Sequence, residues 1–380
     1  MRNVLIFTGS RSEYGLLRNL LFQVKRSKKI NYFLTVTGTH LSKKYGSTLN
    51  EIKKDKFKID TKLNLKFTKN ENRDIKKNSI SIIEKISQTL AKKKIDMCVL
   101  LGDRYEVFSA AIACILNDVK IVHIHGGELS EGSKDDIFRH TITKMSNLHF
   151  VATREYKKRV LQLGEDPKLV FNVGAMCNDT VDKIKFLDKK VFLNSNNLKF
   201  NKTILICCHP EISKEQNKIL VNNLLKVLKN YKKINIIFTY PNSDPGSEFI
   251  IKKFKKFVKK NSNSKIYKSL GHELFLQFLK NCDCIIGNSS SGIIEAPLIG
   301  TPSINIGDRQ KGRLLSQTVF QCSNQKDKIQ NLIEKILKKE KKYNQKCAYR
   351  GTNVSKKILR VIENIQLDQL NFKKFNDIKF

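Results

Sequence analysis

Short apolar, β-branched runs alternate with amphipathic stretches along almost the whole chain. In the first of these, "NVLIF" reads as a buried strand and "TGSR" as a tight turn. "EYGLLRNLLFQVKRS" then places Leu16, Leu17, Leu20, Leu21 and Val24 on one helical stripe. Further strands are predicted at "YFLTVTG", "IDMCVLLGD", "VKIVHIHGG", "LHFVAT" and "LVFNVG", with helices between them that include "YEVFSAAIACILN" and "REYKKRVLQLG". A polar, Asn- and Lys-rich stretch near residues 185 to 202 interrupts the rhythm and reads as a linker. The pattern restarts with "TILICCHP", "NIIFTYPN", "SKIYKS", "DCIIGNSSSG" and "PSINIGDRQ". Strand and helix alternating in this way predict βαβ units and parallel sheets. The expected architecture is α/β, with two Rossmann-like doubly wound domains, residues 1–180 and 181–380, facing each other across a cleft.

Composition narrows the class. A length of 380 residues exceeds one ordinary core and fits two domains. With 40% hydrophobic residues, no apolar run long enough to cross a bilayer and no charged-then-apolar leader, the chain reads as a soluble protein of the cytoplasm. Nine cysteines, several within apolar runs, suit buried thiols better than a disulfide framework. The net charge of +37 raises the question of nucleic acid or an anionic membrane. The lysines are scattered, however, and no helix-turn-helix, zinc-finger or aromatic-interleaved basic frame accompanies them. Neither partner is expected; steering of a small anionic substrate is the better use of the charge.

In open α/β sheets ligands bind beyond the carboxyl ends of the strands, and there this chain is polar. The strand ends read "TGSR", "TGTH", "GDR", "HIHGGE", "CHPE", "YPNSD", "GNSSSG" and "GDRQKGR". "GNSSSGIIEAP" offers a Gly- and Ser-rich turn feeding a helix, a place for a diphosphate beside Arg11 and Arg309; the competing reading is an ordinary N-cap by Ser289 or Ser290. Neither a GxGxxG nor a P-loop pattern occurs, so a dinucleotide or a triphosphate is disfavoured. In "KIVHIHGGELSEG" the residues His123 and His125 alternate, so a strand would turn both to one face, where a metal would want Asp103 or Glu128 as a third ligand. No metal or cofactor is expected on balance. Asp103 and Asp135 could equally be a turn cap and a helix N-terminal charge.

The strings "GSRSEYG", "GDRYE", "HIHGGE", "DDIFRHTITKMS", "IGNSSSGIIE" and "INIGDRQKGR", in this order, resemble the hydrolysing UDP-N-acetylglucosamine 2-epimerases that supply N-acetylmannosamine for sialic acid synthesis. The resemblance spans nearly the whole chain. It implies a GT-B-like pair of domains, catalysis and sugar binding in the first and UDP binding in the second, a C-terminal helix crossing back onto the first domain, no metal and a homo-oligomer, dimer or tetramer. It also implies the chemistry: loss of the proton on carbon 2 coupled to departure of UDP, then hydration of the glycal with a proton delivered to the opposite face. Carried over by motif, Asp103 and Asp135 are the expected carboxylates and His209 a third participant. Arg11, Ser289, Ser290 and Arg309 would contact phosphate, and Arg104 and Asn242 would also bind the substrate. Glu295 would hold the ribose, and Leu270 and Phe275 would flank uracil. Many relatives read "HIEGGE"; this chain has His125 where they have glutamate, so either His125 or Glu128 is expected to take that acid/base role. The same motifs occur in relatives acting on UDP- or GDP-linked 2,4-diacetamido sugars. Two other readings are a retaining glycosyltransferase and a non-hydrolysing epimerase; the latter typically carries "HVEAG", which is lacking here.

Overall fold

Thirteen strands appear in the computed structural model, which describes residues 1–42, 49–68, 71–211, 213–338 and 347–377, without the side chains of Arg11, Glu71 and Asn72. In chain order they are β1 (Arg2–Thr8), β2 (Ile30–Thr37), β3 (Thr61–Leu63), β4 (Met97–Leu101), β5 (Lys120–Ile124), β6 (Leu148–Val151), β7 (Val170–Asn172), β8 (Thr203–Cys207), β9 (Asn235–Thr239), β10 (Ser264–Tyr267), β11 (Cys284–Gly287), β12 (Ser303–Ile306) and β13 (Val319–Cys322). They form two sheets, ordered β3-β2-β1-β4-β5-β6-β7 and β10-β9-β8-β11-β12-β13, and every strand pair is parallel. The central strands are buried on both faces, which is why "MCVLL" and "TILIC" read as unbroken apolar runs rather than as alternations.

Each sheet belongs to one compact unit. The first unit comprises Met1–Glu128, Asp135–Asp182 and Tyr349–Phe380; the second comprises Leu129–Lys134 and Lys183–Ala348. In the first, Leu17, Leu20, Leu21 and Val24 pack with Val4 and Ile6 of β1 and with Val354, Ile358 and Ile362 of the helix Val354–Asn364. In the second, Leu220, Leu224 and Phe254 close over Ile204, Ile206 and Phe238. The stretch read as a linker is folded: Lys189–Ser195 is a helix that Asp188 caps by accepting from Lys190 N at 2.8 Å, and Phe192 packs edge-on against Phe278. Three buried apolar residues, Phe192, Leu193 and Leu198, anchor this polar stretch on its unit. All nine cysteines are free thiols. No described helix is long and apolar enough to cross a membrane.

Candidate functional site

In the first unit the residues just past β4 and β5 meet the helix Asp135–Met145. His123 lies within β5 and is wholly buried. Its Nε2 is 2.9 Å from the Gly102 carbonyl, which can only accept, so the ring proton sits on Nε2 and Nδ1 faces the Thr143 hydroxyl at 3.2 Å. Burial pushes the imidazolium down to about 3, which keeps the ring neutral. His123 therefore fixes the turn that presents Asp103.

His125 does not continue the alternation. β5 stops at Ile124, and His125 takes a left-handed backbone, φ 68°, so the two histidines do not share a strand face. Met176 N donates to His125 Nε2 at 3.1 Å, which leaves the proton of the neutral ring on Nδ1, 2.8 Å from Oε1 of the buried Glu128. Nε2 is engaged by the Met176 amide, and Nδ1 stands against Glu128 within the unit.

Asp103, Asp136 and the carbonyl of Glu128 meet on one buried cation. Arg139, 1% exposed, donates to Asp103 Oδ2, to Asp136 Oδ1 at 2.9 Å and to Glu128 O at 2.9 Å. Arg139 stands inside "DDIFRH" but drew no role from the sequence; its signal is the i,i+3 spacing from Asp136. Asp135 is the first residue of the same helix, where a carboxylate complements the helix dipole.

Beside β1, the helix Arg11–Arg26 is capped by Ser10, and Glu13 reaches back past the cap to Gly9. Ser10 Oγ accepts from Glu13 N at 3.4 Å, and Glu13 Oε2 accepts from Gly9 N at 2.7 Å. Arg104, expected to bind substrate, has its Nε 3.2 Å from Glu106 Oε2 and 4.0 Å from Glu13 Oε1. Arg11 occupies the first helical position, and its side chain is outside the described residues.

In the second unit Asn288, immediately after β11, ties three strand ends together. It accepts from His209 N at 2.6 Å and donates to His209 O at 3.0 Å and to Glu211 Oε1 at 2.9 Å. Its own carbonyl accepts from Arg309 Nη1 at 3.3 Å and Gln310 Nε2 at 3.2 Å. Asn242 N donates to His209 Nδ1 at 3.1 Å, which places the neutral ring's proton on Nε2. Burial raises the Glu211 carboxyl, and Asn288 and Arg309 oppose the rise. The expected helix after "GNSSSG" is a 3-10 turn, Ser290–Gly292, capped by Ser289 Oγ, which accepts from Ser291 N at 3.4 Å; a five-residue helix headed by Glu295 follows. Leu270, buried, and the half-buried Phe275 lie at the start of the helix Gly271–Asn281. The strings "CHPE" and "GNSSSG" contain Glu211 and Asn288 without signalling a role for either, because their importance lies in contacts across the sheet.

Among the described residues, no three His, Cys, Asp or Glu side chains gather as a metal site would require. A family profile described as UDP-N-acetylglucosamine 2-epimerase matches residues 23–363. The chain belongs to this epimerase family. Within it, the chain is 37% identical over 384 residues to the GDP/UDP-N,N'-diacetylbacillosamine 2-epimerase (hydrolyzing) of Campylobacter jejuni, covering 99% of both chains. It is 32% identical to the UDP-N,N'-diacetylbacillosamine 2-epimerase (hydrolyzing) of Legionella pneumophila, again covering 99% of both. The crystal structure of the UDP-GlcNAc 2-epimerase of Neisseria meningitidis bound to UDP-GlcNAc matches the fold with a TM-score of 0.80 at 18% identity, over 95% of this chain and 99% of that one. The two parallel sheets with their helices are thus the GT-B-like, two-domain fold of the family.

Proposed function

We propose that this epimerase acts on a nucleoside-diphosphate-linked N,N'-diacetylated sugar, releasing the nucleoside diphosphate and the free 2-epimer. The observation that carries the substrate is that two hydrolysing relatives matched over 99% of their length both bear the name of N,N'-diacetylbacillosamine. The proton on carbon 2 is lost as the diphosphate departs, water adds to the glycal, and a proton arrives from the other face, so two differently placed acid/base groups are needed. Asp103, held by Arg139, and Asp135 at the helix start are the carboxylates this reading selects, with Glu128 beside His125. Arg309, Ser289, Ser290 and the Nε2–H of His209 would take the charge growing on the diphosphate; Asn242 sets the His209 tautomer. Glu295 would hold the ribose, and Leu270 and Phe275 the base. The family resemblance further supports a homo-oligomer of the cytoplasm, and the free cysteines suit a reducing compartment.

The test is proton NMR in deuterated water with UDP- and GDP-linked N,N'-diacetylbacillosamine and with UDP-N-acetylglucosamine. Free nucleoside diphosphate with a sugar epimerised and deuterated at carbon 2 is the expected result. An epimer that keeps its nucleotide, or a carbon 2 that stays protonated, would overturn the reading. Preferential consumption of UDP-N-acetylglucosamine would favour the second substrate, after which the family is described.

A further inference from the structure

The first unit holds a buried acid pair that the chemistry above leaves unused. Glu13 is 5% exposed and Glu106 fully buried. Among the described residues the cation facing both is Arg104, 4.0 Å from Glu13 and 3.2 Å from Glu106. Two carboxylates sharing one guanidinium away from water favour retention of a proton on one of them. Burial, then repulsion from Glu106, raises Glu13 to about 7, against the pull of Arg104, Gly9 N–H and the Ser10 hydroxyl. Of the titratable groups near this turn, His40 has its Nε2 3.0 Å from Thr8 Oγ1, and Tyr14 donates to Asp55 at 2.5 Å.

Glu13 also has an outlet. Its Oε1 is 2.9 Å from Ser10 Oγ, Ser10 Oγ is 3.0 Å from Ser12 Oγ, and Ser12 is exposed. We propose that Glu13 is a proton-holding residue of this epimerase, acting through the Ser10 and Ser12 hydroxyls at the β1 turn rather than on the sugar itself. When Glu13 gives up its proton to Ser10 Oγ, the Ser10 hydroxyl proton passes to Ser12 Oγ and that of Ser12 to solvent or a bound group. Glu13 is left as a carboxylate beside Arg104, and the reverse sequence reloads it. The role rests on the epimerase reading: each turnover places one proton on the base and takes one from the acid, and addition of water frees another, so the site must exchange protons to reset.

Infrared titration of the substrate-free protein from about pH 5 to about pH 9, on wild type and Glu13→Gln, is the first arm. A carboxyl deprotonation near neutral pH in wild type that vanishes in the variant is expected. A transition unchanged by Glu13→Gln, or absent from wild type, overturns the proposal. Because folding raises this carboxyl from its ordinary 4.5 to about 7, wild type should lose thermal stability relative to Glu13→Gln as pH rises through that window. The second arm is the pH profile of kcat. Glu13→Gln should lower kcat about tenfold and abolish the limb near neutrality, and Ser12→Ala should lower kcat with KM unchanged while keeping the infrared transition. An unaltered profile in Glu13→Gln overturns the role in turnover. If wild type turns over no nucleotide sugar, the epimerase reading and the role in turnover fall together, whereas the infrared arm separately decides whether Glu13 holds the proton.

Discussion

Single residues in this protein are legible mainly through their partners. Glu128, a candidate acid/base group by its motif, stands 2.8 Å from His125, and Asp103 gains its fixed position from a buried arginine. Asp103→Asn keeps the shape and a hydrogen-bond acceptor while removing the charge; turnover should fall at least a hundredfold with nucleoside diphosphate binding retained, as measured by steady-state kinetics and calorimetry. Arg139→Met is different in kind. It leaves Asp103 and Asp136 without their shared counter-charge, and should cost about 3 kcal/mol of stability as well as activity. Equal stability of the two variants would show that Arg139 holds nothing together.

At the scale of elements, the decisive positions are those where strands approach closely. Gly287 ends β11 opposite Cys207 of β8, with φ 147°, and an added Cβ would stand 1.9 Å from the Cys207 carbonyl oxygen. That approach lets Asn288 N reach Cys207 O at 3.2 Å and carry the His209, Glu211 and Arg309 turns. Gly102 also has a positive φ, 84°, but nothing lies within 4 Å of its added Cβ. Gly287→Ala should therefore cost several kcal/mol and perturb the whole turn cluster, whereas Gly102→Ala should cost only the backbone strain of about 1 to 2 kcal/mol. Paired thermal melts decide the order.

For the whole molecule, the first unit is discontinuous in sequence. Its C-terminal part supplies Val354, Ile358 and Ile362 to the core, and Tyr349, whose hydroxyl is 2.6 Å from that of Tyr156. Asp179 accepts from Val354 N at 2.9 Å and Ser355 N at 2.7 Å, capping that last helix. Ending the chain at Ala348 removes four buried aliphatic side chains, Val354, Ile358, Ile362 and Leu370, about 6 to 12 kcal/mol of burial, a large share of a unit's stability. Hydrogen exchange should lose protection in β1 and β2 while β8 and β11 keep theirs; protection retained in β1 would show that the tail is dispensable.

The sequence by itself determined the alternation of strands and helices, because a strand buried on both faces must be an unbroken apolar run and a helix over it must carry an apolar stripe. The edge strands β3 and β13 escaped notice: "TKL" buries only its last residue and "VFQC" only its two ends, although the equally short edges β7 and β10 were legible. The motifs at the strand ends were equally legible, because turns at the carboxyl ends of parallel strands are where polar residues can meet a ligand. Tertiary structure alone decided which of those polar groups spend themselves on one another. Proton positions on His123, His125 and His209, the shared cation Arg139 and the Glu13–Glu106 pair all arise from neighbours distant in the chain. Burial and hydrogen-bond geometry, which set those states, are properties of the packed fold rather than of residue order.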